Sequence, residues 1–219
     1  MPSPTLPRLP PGRRRRRHLA LVLAVVAGGL AGRAATPAPA APPVLVVFET
    51  DRGAITLAVD VAHAPVTAAN FLKYVDGGFY DGGMINRSVR PDNTTRHDDE
   101  IQVIQFQENP ARHDLFPPIP LERTTVTGLK HGDGAISMAR GGPDTAQASF
   151  FIAINDQPEL DFGGRRNPDG QGFAVFGRVV AGMDVVKKIH AAPTAATGDY
   201  GTETLDPVIK ILRARRRPE

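Results

Sequence analysis

The sequence predicts a mainly β domain, a closed antiparallel barrel carrying helical caps. Three observations lead there. Short apolar or alternating runs recur along the chain, bounded by Gly, Pro, Asn and Asp. Only two stretches carry sustained helical spacing. No strand–helix–strand rhythm of the kind that builds a parallel sheet is present.

The elements follow in chain order. Residues 44–48 are a continuous apolar run, Asp51-Arg52-Gly53 is a turn, and 55–59 alternate apolar with small or polar residues, so the pair predicts a hairpin. Pro65 suits a first helical turn, Ala69, Leu72 and Val75 share one face, and Gly77-Gly78 stops the helix. Strands are predicted over 84–90 and 100–107, with a polar loop between them, and 124–128 is a loop. The stretch 135–152 then organises the rest. An apolar strand containing Ile136 and Met138 breaks at Arg140-Gly141-Gly142-Pro143-Asp144, where neither strand nor helix can continue, and resumes at Phe150-Phe151-Ile152. Because neighbours on a strand face opposite ways, Phe150 and Phe151 cannot both enter the core. Another strand is predicted over 173–179. A second helix holds Met183, Val186 and Ile189, with Asp184 early and Lys187 and Lys188 late, as the helix dipole favours. A last strand covers 208–212.

The start of the chain has a different composition. Five arginines, Arg13 to Arg17, precede an apolar run over 19–30 and then small residues, among them Ala38-Pro39-Ala40. A basic head, a short apolar stretch and a small-residue exit predict a cleavable secretory signal over 1–35, followed by a Pro/Ala-rich linker over 36–43. The mature chain is expected to begin between Ala35 and Ala41, in the periplasm. The apolar run falls short of the roughly 20 residues a spanning helix needs, so membrane contact is expected only through an uncleaved signal. Removing seven arginines from 26 basic residues leaves 19 against 23 acidic ones, a net of −4. That balance excludes a basic nucleic-acid footprint, and residues 213–219 read as a solvated basic tail. No cysteine is present, which excludes thiol catalysis and disulfides. The domain proper spans 44–212.

Conventional catalytic sets are missing. His63, His97, His113, His131 and His190 are scattered, with no zinc-binding spacing. The run His97-Asp98-Asp99-Glu100 is too contiguous to converge on one ion. Ser137 and Ser149 lack the turn that presents a nucleophile. Arg165 and Arg166 spoil 161–172 as a calcium loop. No metal or cofactor is expected.

An ordered series of motifs remains: Gly78-Phe79-Tyr80-Asp81, Ile85-Asn86-Arg87-Ser88-Val89, Val103-Ile104-Gln105, Ile136-Ser137-Met138-Ala139-Arg140, Ala148-Ser149-Phe150-Phe151-Ile152, Glu159-Leu160-Asp161, Ala174-Val175-Phe176-Gly177-Arg178-Val179 and Gly182-Met183-Asp184-Val185-Val186. From Val44 to Leu212 the chain resembles the cyclophilins, peptidyl-prolyl cis/trans isomerases, and most closely their periplasmic bacterial branch. The resemblance implies an eight-stranded barrel with two short helices, a monomer without cofactor, and proline-containing unfolded or partly folded polypeptides as partners. It places Arg87, Gln105 and Phe151 in catalysis, and Gln102, Val103, Ala139, Arg140, Glu159, Leu160 and Phe173 in substrate binding.

The chemistry suits these residue types. Rotation about an X–Pro bond must break amide resonance, a barrier of roughly 18–20 kcal/mol. A catalyst need only favour the twisted state, in which the prolyl nitrogen regains a lone pair. A permanently charged guanidinium such as Arg87 can donate to that nitrogen or hold the carbonyl. Gln105 would orient the carbonyl, and Phe151, Leu160, Val103 and Phe173 would form the slot for the ring. Ala139 and Arg140 would meet the residues before proline. Several positions depart from the family pattern. Gln102-Val103 stand for Phe-Met, Ser149 for glutamine, Glu159 for tryptophan and Phe173 for histidine or tyrosine. The 92–100 loop is also longer than usual. These departures leave a second reading open, a prolyl-peptide binding module without catalysis.

Overall fold

The β-branched run at 44–50 and the alternating run after the turn become strands β1 (Val44–Thr50) and β2 (Gly53–Val59), paired antiparallel from Val44 opposite Val59 to Thr50 opposite Gly53. The computed structural model describes Met1 and residues 41–218. The expected signal, its cleavage window and most of the linker lie outside the described residues. The remaining elements are α1 (Pro65–Asp76), β3 (Met84–Val89), β4 (Val103–Gln107), α2 (Thr124–Thr127), β5 (Ala135–Met138) and β6 (Phe150–Ala153). They continue through β7 (Val175–Ala181), α3 (Met183–His190), β8 (Thr194–Ala195) and β9 (Thr204–Arg216). Single 3₁₀ turns stand at Pro158–Leu160 and Gly201–Glu203.

Eight strands close on themselves in the order β1-β2-β7-β5-β6-β4-β3-β9, and β9 returns to pair with β1. Every pairing is antiparallel, and the two-residue β8 adds only to β9. Closure gives each of the eight barrel strands two neighbours and leaves only the two-residue β8 as an edge. The expected eight-stranded barrel is present.

Phe48, Phe106, Phe150 and Phe176 fill the interior with Ile55, Leu57, Ile104 and Ile136. Phe106 and Phe150 stack at 4.5 Å between ring centroids. The helix α1 sets Ala68, Phe71, Leu72 and Val75 into the same core, and α3 adds Val186 and Ile189. Each of these rings and branched aliphatic chains contributes about 1.5–3 kcal/mol by leaving water, and the Ala68 methyl less. Among the described residues, no helix is long and apolar enough to cross a membrane.

Some boundaries differ from expectation. The loop expected at 124–128 is one turn of helix, α2, closed by Gly128 at φ 74° with its amide on the Thr124 carbonyl; the described chain thus has three α-helices, not two. The strand expected from residue 100 starts at Val103, because Gln102 bonds to the loop at Ile154 and Gln157 rather than to a neighbouring strand. The strand expected over 173–179 is displaced to Val175–Ala181, since the Phe173 amide is taken by the Leu160 carbonyl. The last strand is much longer than 208–212, and it absorbs most of the expected basic tail. Arg213, Arg215 and Arg216 pair with β1; the Arg215 side chain meets Glu49 on that strand, and Arg216 meets Asp76 at the end of α1.

Candidate active site

Alternation on β4 sorts its side chains. Ile104 and Phe106 enter the barrel, while Val103, Gln105 and Gln107 line an outer groove of about 460 Å³. On β6, Phe150 goes to the core and Phe151 to the groove, as period 2 demands. Phe151 lies with Val89, Ile101, Val103, Leu160 and Phe173 in a second apolar cluster, with Ala139 packed against it. Phe151 and Phe173 meet edge to face at 5.3 Å. Gly172, at φ 65°, brings its backbone against Asp161 and Phe162; a Cβ there would lie 2.5 Å from the Asp161 carbonyl carbon. That close approach seats Phe173 beside Leu160.

Arg87 reaches the groove through a bulge. Ile85 opposes Phe106 and Arg87 opposes Gln105, so two steps on β3 match one on β4 and Asn86 is the extra residue. Without it, Arg87 would face the same side as Ile85, into the core; bulges re-aim side chains in this way. The Asn86 amide secures the kink by donating to Gln107 Oε1 at 2.9 Å.

The guanidinium is then fixed from three sides. Nη1 donates to Gln105 Oε1 at 3.1 Å, while Nε and Nη2 donate to Glu203 Oε2 at 2.8 and 2.6 Å. Its Cζ lies 4.8 Å from the Tyr200 ring centroid. The Tyr200 hydroxyl accepts from Gln105 Nε2 at 3.1 Å and Gln107 Nε2 at 2.9 Å. Glu203 is 9% exposed, so the pair is largely shielded from solvent.

Behind Phe151 lies a buried relay. The His131 ring stacks on Phe151 at 6.0 Å and 13°, with Nδ1 2.8 Å from Asp161 Oδ1 and Nε2 2.9 Å from Ser137 Oγ. Burial holds the His131 imidazole below the ordinary 6.5 despite the Asp161 carboxylate. Ser137 is wholly buried and outside the groove lining, so this Ser–His–Asp arrangement supports the floor and presents no nucleophile.

Eight of the ten expected site residues therefore line one groove: Arg87, Val103, Gln105, Ala139, Arg140, Phe151, Leu160 and Phe173. The other two do not. Gln102 precedes Val103 on a chain whose odd positions face the groove, so alternation turns it away. Glu159 is drawn aside by Arg165, accepting from its backbone N–H at 2.9 Å and from Nε at 3.2 Å, which holds the carboxyl below its usual range. Arg140 faces the groove, but its guanidinium is committed to Asp169 and the Gly172 carbonyl; Asp169 falls to about 2 through that bond. Sequence reasoning missed Tyr200 and Glu203, which reach Arg87 from a turn more than a hundred residues away, and Arg96, Arg166 and Asn167, which also line the groove. None sits in a periodic pattern that could have announced it.

Comparison with known proteins agrees with this geometry. Residues 45–216 match the family model for cyclophilin type peptidyl-prolyl cis-trans isomerase/CLD. The chain is 35% identical over 165 residues to peptidyl-prolyl cis-trans isomerase A of Dickeya dadantii, covering 75% of this chain and 80% of that protein. It is 34% identical to peptidyl-prolyl cis-trans isomerase B of Escherichia coli, covering 75% and 95% respectively. A Cryptosporidium parvum cyclophilin type isomerase, crystallised in the presence of the dipeptide Ala-Pro, shares the fold with a TM-score of 0.62 at 17% identity, covering 80% of this chain and 99% of that one. With the barrel, the groove and the family match in place, this chain belongs to the cyclophilin-type peptidyl-prolyl cis-trans isomerases.

Proposed function

We propose that the chain accelerates X–Pro rotation in unfolded or partly folded polypeptides exported to the periplasm, using the groove built on Arg87, Gln105 and Phe151. The observation that carries this reading is the Arg87 guanidinium, turned outward by the Asn86 bulge and held by Gln105 and Glu203 beside the Phe151 cluster.

The pyrrolidine ring rests on Phe151, between Leu160, Phe173 and Val103, and the apolar contact fixes it while the preceding carbonyl turns. Gln105 Nε2 is shared with Tyr200 and lies beside Arg87, so an incoming carbonyl oxygen meets one donor array. As the amide twists, its nitrogen pyramidalises and gains a lone pair, and the positive charge of Arg87 favours that state over either planar one. No bond is made or broken, so electrostatics in a partly desolvated groove has to supply the rate enhancement. A donor aligned in advance does not reorganise during the turnover.

A protease-coupled assay on a proline tetrapeptide tests the activity: the purified protein is expected to accelerate the slow phase in proportion to its concentration. An unchanged slow phase with measurable peptide binding would favour a binding module without catalysis. The export part of the proposal rests on the order of charge, apolar run and small residues at 1–40. N-terminal sequencing of the periplasmic protein is expected to begin between Ala35 and Ala41, and an intact Met1 in the membrane fraction would contradict it.

A further inference from the structure

The groove carries more positive charge than the rotation of a neutral peptide requires. Four arginines line it, Arg87, Arg96, Arg140 and Arg166, against one carboxylate, Glu108, which accepts from Ser149. Arg87 has Glu203 and Arg140 has Asp169. Arg96 and Arg166 share a single acid, Asp99, which sits on Arg96 and lies 3.9 Å from Arg166 Nη1. Within the Arg96–Arg166–Asp99 trio one positive charge is left over, opposed from further off by Glu203.

Arg166 is the unusual member. Its side chain is 6% exposed, yet its one hydrogen bond is a long 3.4 Å contact from Nη1 to the Asp99 carbonyl. A guanidinium carries five N–H donors, so most of those of Arg166 border the groove without an acceptor among the described residues. Burial, with Arg96 and Arg87 close by, lowers its pKa from the ordinary arginine value. Its neighbour Asn167 adds a second unmet demand: Nδ2 is buried and has no acceptor. Both residues line the groove with Ile101, Leu160 and Phe173, next to the proposed ring slot.

We infer that this rim selects prolyl segments that carry an acidic side chain close to the proline, the carboxylate being received by Arg166 and Asn167 Nδ2 with Arg96 alongside. A carboxylate matches the fork of a guanidinium and takes two donors at once. It also neutralises the surplus charge that Asp99 leaves. The inference deepens the isomerase reading above and rests on it.

The test is a set of seven-residue peptides with one proline, each carrying Glu or Gln at one of three positions before or after it. Turnover is measured by exchange NMR and binding by shift titration, and the quantity read is the Glu-to-Gln ratio at each position. At one or two positions the wild-type ratio is expected to reach roughly five- to fiftyfold, the worth of a charge-assisted bond. It should approach one in about 1 M salt and in Arg166→Met. Should Arg166→Met fail to fold, Arg96→Gln combined with Asn167→Ala is expected to collapse the same ratio. Ratios within about twofold of one at every position in wild type would overturn the inference, as would a preference that survives both variants. Turnover of the Gln peptides without any Glu preference sinks only this inference. Absence of turnover in all peptides counts against the isomerase reading, and the titrations still decide the charge preference.

Discussion

Glu203 offers a direct way to ask whether the Arg87 guanidinium acts because it is held still. The carboxylate takes two hydrogen bonds on one oxygen, from Nε at 2.8 Å and Nη2 at 2.6 Å, in a pair with 22% and 11% side-chain exposure. In Glu203→Gln, an amide oxygen can occupy the same place, so both contacts survive without the charge. A hydrogen bond to a charged acceptor is worth about twice a neutral one, so the loss is about 1–1.5 kcal/mol. If that weakening appears fully as misalignment, turnover falls about five- to tenfold. Glu203→Ala removes both contacts and leaves, among the described residues, Gln105 and Tyr200 to restrain the guanidinium, a loss of about 2–3 kcal/mol or roughly thirty- to a hundred-and-fiftyfold. Because Glu203 is argued to position rather than to bind substrate, kcat should carry the change while KM moves little. The assay is tetrapeptide isomerisation over a range of substrate concentration, with urea unfolding to confirm the fold. Activity of Glu203→Ala within about twofold of wild type would refute the reasoning, since the guanidinium would then need no such anchor.

Other expectations follow from the same structure. Phe151→Ala should raise KM strongly and cost about 3 kcal/mol of stability, because it empties the centre of the apolar cluster around Leu160 and Phe173; urea unfolding and saturation kinetics check it together. Stability should also fall in mild acid. His131, against Asp161 and Lys130, and His190, beside Arg90 and Asp92, are both held below 6.5 chiefly by burial. The unfolded chain therefore binds protons below about pH 6.5 that the folded chain refuses, and stability is lost as pH falls from about 7.5 towards 5, by at most about 1.4 kcal/mol per unit for each histidine. Unfolding free energies at those two pH values should differ in wild type and converge in the double variant His131→Gln, His190→Gln; an equal gap in both would assign the loss to other groups.

The parts of the fold that were legible are those where local pattern and tertiary demand coincide. Phe150 and Phe151 separate into core and groove by strand geometry alone, and Val103 and Gln105 follow the same rule. That rule also shows why Gln102 could not join them. Arg87 is a different case: strict alternation from Ile85 would have sent it inward, and only its motif marked it, because a bulge has no compositional signal here. Strand β9 was read short since Pro207 interrupts it and arginines crowd its end, features of edges and tails. In a closed barrel those arginines instead find Glu49 on the neighbouring strand and Asp76 at the end of α1. Tyr200 and Glu203 were invisible for a simpler reason. They approach Arg87 through the return of the chain after α3, and nothing in their neighbourhood is periodic. Glu159 directly precedes Leu160 of the apolar cluster, but Arg165, six residues on, decides where its carboxylate goes.

The central claim is that one preorganised guanidinium supplies most of the catalysis. Arg87→Ala tests it most directly, with kcat/KM on a proline tetrapeptide measured beside far-ultraviolet circular dichroism and urea unfolding. Loss of a preorganised electrostatic donor should lower kcat/KM by at least about a hundredfold, while the barrel stays folded because Arg87 lies outside its core. A folded Arg87→Ala protein that retains activity within about threefold of wild type would contradict the account.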